Sequence, residues 1–238
     1  MNNLNFSLHY YQKAILKKLT LSRGVRFNSL IIKGLESEHM NYHLKKLLAF
    51  GFVEKRKNLY FLTDQGKDYT NLLDDQVEIV EKQPKTSITI RGARKNPETG
   101  AVEHLVNKRL RHPYWGKVGR LTGKVRFGEK LVEAAARELY EETGLHAKTF
   151  VLEDVYHKIR TRDDGTLVQD VIFYILFVTG FYGEFIKKTE FQENFWLSQK
   201  DLQTRKDLDL YDDFDLDLRT EARSDLRFIE SVAIAEGY

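Results

Sequence analysis

Along the first 75 residues the apolar positions fall at helical spacing, then switch to short alternating runs. Tyr11, Ile15 and Leu19 in YYQKAILKKL recur every fourth residue, which predicts an amphipathic helix. RFNSLIIKGLE reads as a second, short helix. SEHMNYHLKKLLAFG reads as a third, with Leu44, Leu47 and Leu48 as its apolar stripe, Ser37 as N-cap and Gly51 as its stop. FVEKRK and LYFLT alternate as two short strands about Lys57-Asn58, a predicted hairpin, and TDQGKDYTNLL closes the segment as a last helix.

The polar run from Asp74 to Lys85 ends at a proline and reads as a linker. Beyond it the pattern becomes mixed. TSITIRGARK and AVEHLVNKRL predict a hairpin about NPETG, with Pro97 and Gly100 in the turn. TFVLEDVYHKIR and LVQDVIFYILFVTG follow as strands about a turn at DDG, and Val171 to Val178 is apolar enough to be buried on both faces. FYGEF and FQENFWL are short extended pieces. RTEARSDLRFIESVAIAE is expected to close the chain as a helix, and the acidic stretch Asp207 to Asp217 to be a mobile loop. The sum is an α+β chain with mixed strands, divided into residues 1–75, a linker at 76–85, and residues 86–238.

Charge sharpens that division. Residues 1–72 hold 12 Lys/Arg against 5 Asp/Glu, a balance of +7, so the remainder carries −4 of the chain's net +3. Two units with different partners are expected. The chain has no cysteine, which excludes disulfides, thiolate metal sites and cysteine nucleophiles. With no secretory signal and no apolar run long enough for a bilayer, the expected place is the cytoplasm and no membrane partner is expected.

The chemistry concentrates in GKVRFGEKLVEAAARELYEETGL, Gly123 to Leu145. On a helix over Lys130 to Thr143, Glu138, Glu141 and Glu142 are spaced by three and four residues and share a face. Like charges there repel unless a cation joins them, and hard oxygen donors suit Mg²⁺ or Mn²⁺. Ala134, Ala135 and Ala136 keep the helix thin against a sheet. Arg137 is placed to pair with Glu129, Gly144 supplies the helix stop, and Glu133 is left as ordinary surface.

This stretch resembles the Nudix box: Gly123, Glu129, Arg137, Glu138, Leu139, Glu141, Glu142, Gly144 and Leu145 occupy all its defined positions. The resemblance extends over about Thr86 to Tyr238, with HLVNKRLRHPYWGKVG before the box and ENFWLSQKDL as a late strand leading to a short helix. It implies an α/β/α sandwich with a mixed sheet and a pyrophosphohydrolase that cleaves nucleoside diphosphate derivatives. It also implies metal ligands at Glu138, Glu141 and Glu142, with the Gly123 carbonyl as a further one. Either Glu138 or a glutamate outside the box, Glu190 or Glu193, would activate water; Arg137 would orient Glu138 and Glu129 would hold Arg137. The family's isomerase branch relies on a cysteine, which is absent here.

NYHLKKLLAFGFVEKRKNLYFLTDQGK resembles the second half of a winged helix-turn-helix domain, through His43, Leu44, Gly51, Val53, Tyr60, Leu62, Thr63 and Gly66. That resemblance covers about Leu8 to Leu73. It implies double-stranded DNA as a partner, with the third helix in the major groove. Ser37, His39, Asn41, Tyr42 and Lys45 would face bases or phosphates, and Lys55, Arg56 and Lys57 would contact the backbone from the wing. Three roles remain open for the whole chain: a diphosphate hydrolase with a DNA-binding unit, a transcription regulator whose Nudix domain senses a nucleotide metabolite, and an enzyme whose first unit pairs two copies as a homodimer.

Overall fold

The computed structural model describes residues 8–71, 83–112, 114–210, 219 and 221–234, and the chain separates into two compact units, Met1–Gln83 and Pro84–Tyr238.

In the first unit, helices α1 (Tyr10–Thr20), α2 (Phe27–Leu30) and α3 (Ser37–Ala49) precede strands β1 (Val53–Arg56) and β2 (Leu59–Leu62) and helix α4 (Asp64–Asn71). Ile15 and Leu19 of the expected stripe are buried, together with Leu16, Leu30, Met40, Leu44, Leu47, Phe52 and Tyr69. α3 starts one residue earlier than expected. Ser37 is its first helical residue, and the N-cap is Glu36, which makes no side-chain cap bond. β1 and β2 form the antiparallel hairpin, with Lys57 at φ 55° in its turn. Val25 joins as a third rung, exchanging two backbone hydrogen bonds with Tyr60 at 3.1 and 2.8 Å.

The linker expected at 76–85 lies largely outside the described residues, and strand begins at its last position. The second unit contains β3 (Lys85–Lys95), β4 (Val102–Arg109), β5 (Val118–Gly119), β6 (Leu121–Lys124), α5 (Leu131–Thr143) and β7 (Leu145–His146). Then come β8 (Thr149–Thr161), β9 (Leu167–Thr179), β10 (Tyr182–Gly183), β11 (Gln192–Ser198), α6 (Gln199–Thr204) and β12 (Arg227–Ile234). Eight strands make one mixed sheet in the order β11-β4-β3-β9-β8-β12, with β5 beside β4 and β6 beside β3. β3–β9 and β8–β12 are parallel; the other pairs are antiparallel.

β3 changes partner along its length. Residues 87–90 pair with β6 and residues 92–95 with β4, while residues 85–92 pair with β9 along the other edge. One face of β3 and β9 carries Ile88, Ile90, Leu176 and Val178 against Ala134, Ala135 and Leu139 of α5. Ala134 and Ala135 thus do what their size suggests, and the helix lies close on the sheet, while Ala136 is only half-buried and outside this cluster. On the opposite face β3 is polar, with Ser87, Thr89 and Arg91, while β9 presents Phe173, Ile175 and Phe177. There Arg91 donates to Glu153 through Nε (2.7 Å) and Nη2 (2.5 Å), and both side chains are buried.

Two expectations change. The C-terminal segment is not a helix: residues 227–234 form β12, parallel to β8 from Arg227↔Asp154 to Ile234↔Thr161. Pairing with β8 overrides the helical reading of a segment in which Ile, Val and Phe favour strand. In the acidic stretch, Leu208 and Leu210 pack on Val106 and Leu202, and Asp209 is fastened by its carbonyl to the Val118 N–H (2.7 Å) and by its carboxylate to Lys117 (2.8 Å). Residues 211–217 lie outside the described residues. Among the described residues, no helix is long and apolar enough to cross a membrane.

Candidate active site

Gly123 lies in β6 opposite Ile88. A Cβ built here would sit 2.0 Å from both Cγ and Cδ of Glu138, so the carboxylate arm rests on the strand backbone and only glycine leaves the space. The chain then turns through Val125–Lys130 into α5. Glu133 accepts the Lys130 N–H at 3.2 Å, so this exposed residue closes the helix N-terminus rather than merely decorating it. At the other end Gly144 takes φ 71° and its N–H donates to the Tyr140 carbonyl at 2.8 Å, a left-handed helix stop.

Arg137 is the hub of the segment. It donates to both oxygens of Glu129 (2.6 and 2.9 Å), to Glu138 Oε1 (2.6 Å), to Glu141 Oε2 (3.2 Å) and to the Lys124 carbonyl (3.0 Å). Glu129 also accepts the Arg126 N–H at 2.9 Å. These bonds, from Arg137 first, hold the Glu129 carboxyl down to about 2, and the same pairing raises Arg137. Glu129 thus pairs with Arg137, and Arg137 in turn contacts Glu138.

Glu142 points elsewhere, into a cavity of about 440 Å³ at the split of the sheet. One wall is Thr89, Ile175, Phe173, Tyr156 and Lys158 from β3, β9 and β8, and the other is Asn107, Arg109 and Gln192 from β4 and β11. Gln192 Nε2 donates to Glu142 Oε2 (3.2 Å) and to Asn194 Oδ1 (2.8 Å), and Asn107 Nδ2 donates to Gln192 Oε1 (3.0 Å). Asn194 Nδ2 donates to the Glu142 carbonyl (2.7 Å) and the Ile186 carbonyl (2.9 Å). Desolvation pushes the Glu142 carboxyl up to about 7; Glu138 adds to the rise, while Gln192, Arg111 and Arg109 oppose it.

Sequence reasoning missed this amide set. Its signal was the alternation in Gln192-Glu193-Asn194, which the two-residue period of a strand separates. The same alternation decides where Glu193 lies. Gln192 and Asn194 face Glu142, so Glu193 turns to the opposite side of β11, across from Lys108. Glu190 is exposed in the preceding loop and is not brought to the cavity either.

Residues 95–214, half of the chain, match the model of the NUDIX domain. The chain belongs to the Nudix family. Among solved structures it is similar to a MutT NUDIX hydrolase from Burkholderia pseudomallei, at 23% identity over 50% of this chain and 86% of that one, with a TM-score of 0.41. A mutator MutT protein from Bacillus halodurans matches at 20% identity over 50% and 71%, with a TM-score of 0.41. The NUDIX domain of Shewanella oneidensis NrtR, solved with ADP ribose, matches at 16% identity over 59% and 86%, with a TM-score of 0.38.

In this Nudix domain the three expected metal ligands are divided. Glu138 and Glu141 are held by Arg137 and Glu142 by Gln192, and no cage of three or more His, Asp or Glu side chains exists among the described residues. The donor set nevertheless fits a small hard dication: three carboxylates on one helix, one of them desolvated and disfavoured by the charge of another.

In the first unit, His39, Asn41, Tyr42 and Lys45 lie on the exposed side of α3, opposite Met40, Leu44 and Leu47, and Ser37 is exposed at its start. Lys55, Arg56 and Lys57 are exposed on the hairpin; Arg56 contacts Glu54 and sits over the Phe61 ring, and Lys55 sits over Tyr60.

Proposed function

We propose that the Nudix domain is a metal-dependent pyrophosphohydrolase that cleaves the diphosphate linkage of a nucleoside diphosphate derivative. The observation that carries this reading is the complete box with its last carboxylate, Glu142, directed into the cavity. Arg109 and Arg120 in the cavity wall supply positive charge for a diphosphate. Arg137 fixes Glu138 and, through Glu129, the loop before α5, while the Gln192 amide holds Glu142. With Glu193 turned away, Glu138 is the carboxylate left to accept the proton of the attacking water as the bridging P–O bond breaks. A divalent cation, Mg²⁺ or Mn²⁺, held by Glu138, Glu141 and Glu142 with the Gly123 carbonyl, would supply Lewis-acid charge and an acidified water.

For the first unit we propose a winged helix that binds double-stranded DNA. Three helices and a hairpin in that order, with polar and basic residues exposed on α3 and on the hairpin, support this reading. A regulator that senses a nucleotide metabolite would use the same cavity without efficient turnover.

A panel of nucleoside diphosphate derivatives, followed by phosphate release, tests the enzyme. Turnover by the wild type that falls in Glu142→Gln is expected; no turnover of any substrate by folded protein with metal present would refute hydrolysis. Retained nucleotide binding together with nucleotide-dependent DNA affinity would then favour the sensor.

A further inference from the structure

β12 lies wholly beyond the matched residues 95–214, yet it completes the cavity. Its odd positions, Ile229 and Ser231, line the wall, next to Tyr156 and Lys158 in the parallel register with β8. Phe228 and Val232 point to the other side and are exposed.

The chain is fastened in this place by unusual means. Glu153 is the extra residue of a bulge in β8, between the register pairs Leu152↔Leu176 and Asp154↔Ile175. The bulge lets two consecutive acids serve the same segment. Glu153, with the Arg91 guanidinium, receives the Arg223 N–H at 2.7 Å, while Arg91 itself donates to the carbonyls of Arg219 (2.6 Å) and Glu221 (2.9 Å). Asp154 takes a two-point bond from Arg227, at 2.7 and 2.8 Å, on the first residue of β12. Burying such charges brings little net stability, but a bidentate pair at the start of a strand fixes its register. A one-residue slip would replace Ile229 and Ser231 in the wall by Glu230 together with either Phe228 or Val232.

The chemistry at this end of the cavity differs from that beside Glu142. The Tyr156 and Phe173 rings are near-parallel, at 6.4 Å and 25°, and Ile175 and Ile229 add apolar surface. Lys158, buried, and Ser231 and Gln169 supply polar groups at the edge. Flat apolar surface with donors and acceptors at its rim suits a heteroaromatic ring. The volume of about 440 Å³ leaves room for such a ring in addition to a diphosphate.

We infer that β12 is the wall that recognises the ring of the nucleotide, and that Ile229 and Ser231 are specificity-determining residues. The inference rests on the proposed nucleotide ligand but not on its cleavage. It is tested by calorimetric titration of the full chain with two probes, ADP and inorganic pyrophosphate, in the presence of Mg²⁺. Ile229→Trp fills the ring end of the cavity, Ser231→Leu removes its hydroxyl, and Val232→Thr changes the opposite side of the same strand. Ile229→Trp and Ser231→Leu are expected to weaken ADP about tenfold or more and leave pyrophosphate unchanged, with Val232→Thr unchanged for both, since an occluded pocket discriminates by about one to two orders of magnitude. If Ile229→Trp does not fold, Ile229→Ala, which removes contact area, is expected to weaken ADP alone. ADP affinity unchanged in every folded variant overturns the inference, as does equal loss of both probes, or a wild type that binds neither. A wild type that binds ADP but cuts no diphosphate refutes the hydrolase and leaves this inference intact.

Discussion

Glu138 and Gly123 are in contact so close that neither position tolerates much change. Substituting Gly123→Ala places a methyl where the Glu138 arm now lies, without demanding a new backbone conformation. The expected result is a displaced carboxylate in a folded protein: kcat/KM lower by about 100-fold, the loss that a misplacement of about 1 Å produces, with the melting temperature little altered. Steady-state kinetics beside a thermal melt would check both halves of that statement. Gly144 is glycine for another reason. It combines φ 71° with a built Cβ 2.4 Å from the Glu184 carbonyl oxygen, so Gly144→Ala should cost more than about 1 kcal/mol in urea unfolding. A variant as stable as the wild type would mean that the helix stop relaxes freely.

At the scale of elements, the sheet is closed by a strand that single-sequence patterns hide. RFIESVAI contains both a helical and an alternating reading, and only pairing with β8 decides between them. The alternation of Ile229 and Ser231 against Phe228 and Val232 becomes visible once the Asp154–Arg227 pair sets the register. By contrast, the helix carrying the glutamates was legible residue by residue, because three- and four-residue spacing needs no distant partner. The bracing of Arg137 by Glu129 was legible for the same reason. The amides were not: Gln192 and Asn194 reach Glu142 from a strand far away in the chain, and Asn107 joins them through Gln192. The side of the sheet that Glu193 takes came only with its place in β11. Removing the register lock by Arg227→Ala leaves Asp154 with less than its present two-point bond and is expected to cost about 1–3 kcal/mol. Chemical denaturation of the full chain measures this, and a change under a few tenths would contradict a fastening role.

The three outer strands also meet at His157, which bonds Asp170 of β9 (2.8 Å) and Glu230 of β12 (3.4 Å). The Asp170 hydrogen bond, aided by Glu230, raises the imidazole above its ordinary 6.5. A raised folded value means stability fully present below 6.5 and lost as pH rises through the folded value. Melting temperatures across that range should therefore decline more for the wild type than for His157→Gln. Parallel curves for the two proteins would show that the imidazolium does not stabilise the fold.

At the scale of the whole molecule, the chain divides into two units of opposite charge balance. Residues 84–238 contain the box, the cavity and β12. That segment alone is expected to retain nucleotide binding and hydrolysis. DNA binding should depend on the first unit and weaken steeply with salt, as phosphate contacts by Lys55, Arg56 and Lys57 release counterions. Replacing these three with Ala should reduce the salt slope and leave nucleotide turnover unchanged. Binding of DNA with no salt dependence, or with the same slope in the triple variant, would remove the wing from the account.

We propose that the box carboxylates make a metal-dependent hydrolytic site. It is tested most directly by kcat/KM as a function of Mg²⁺ concentration for the wild type and Glu142→Gln, on the best nucleoside diphosphate derivative of the panel. Saturable dependence on Mg²⁺ is expected in the wild type, with a fall of about 100-fold or more in the variant, the scale on which loss of charge stabilisation in a water-poor site is felt. Turnover that persists without a divalent cation, or that is the same in Glu142→Gln, would contradict it.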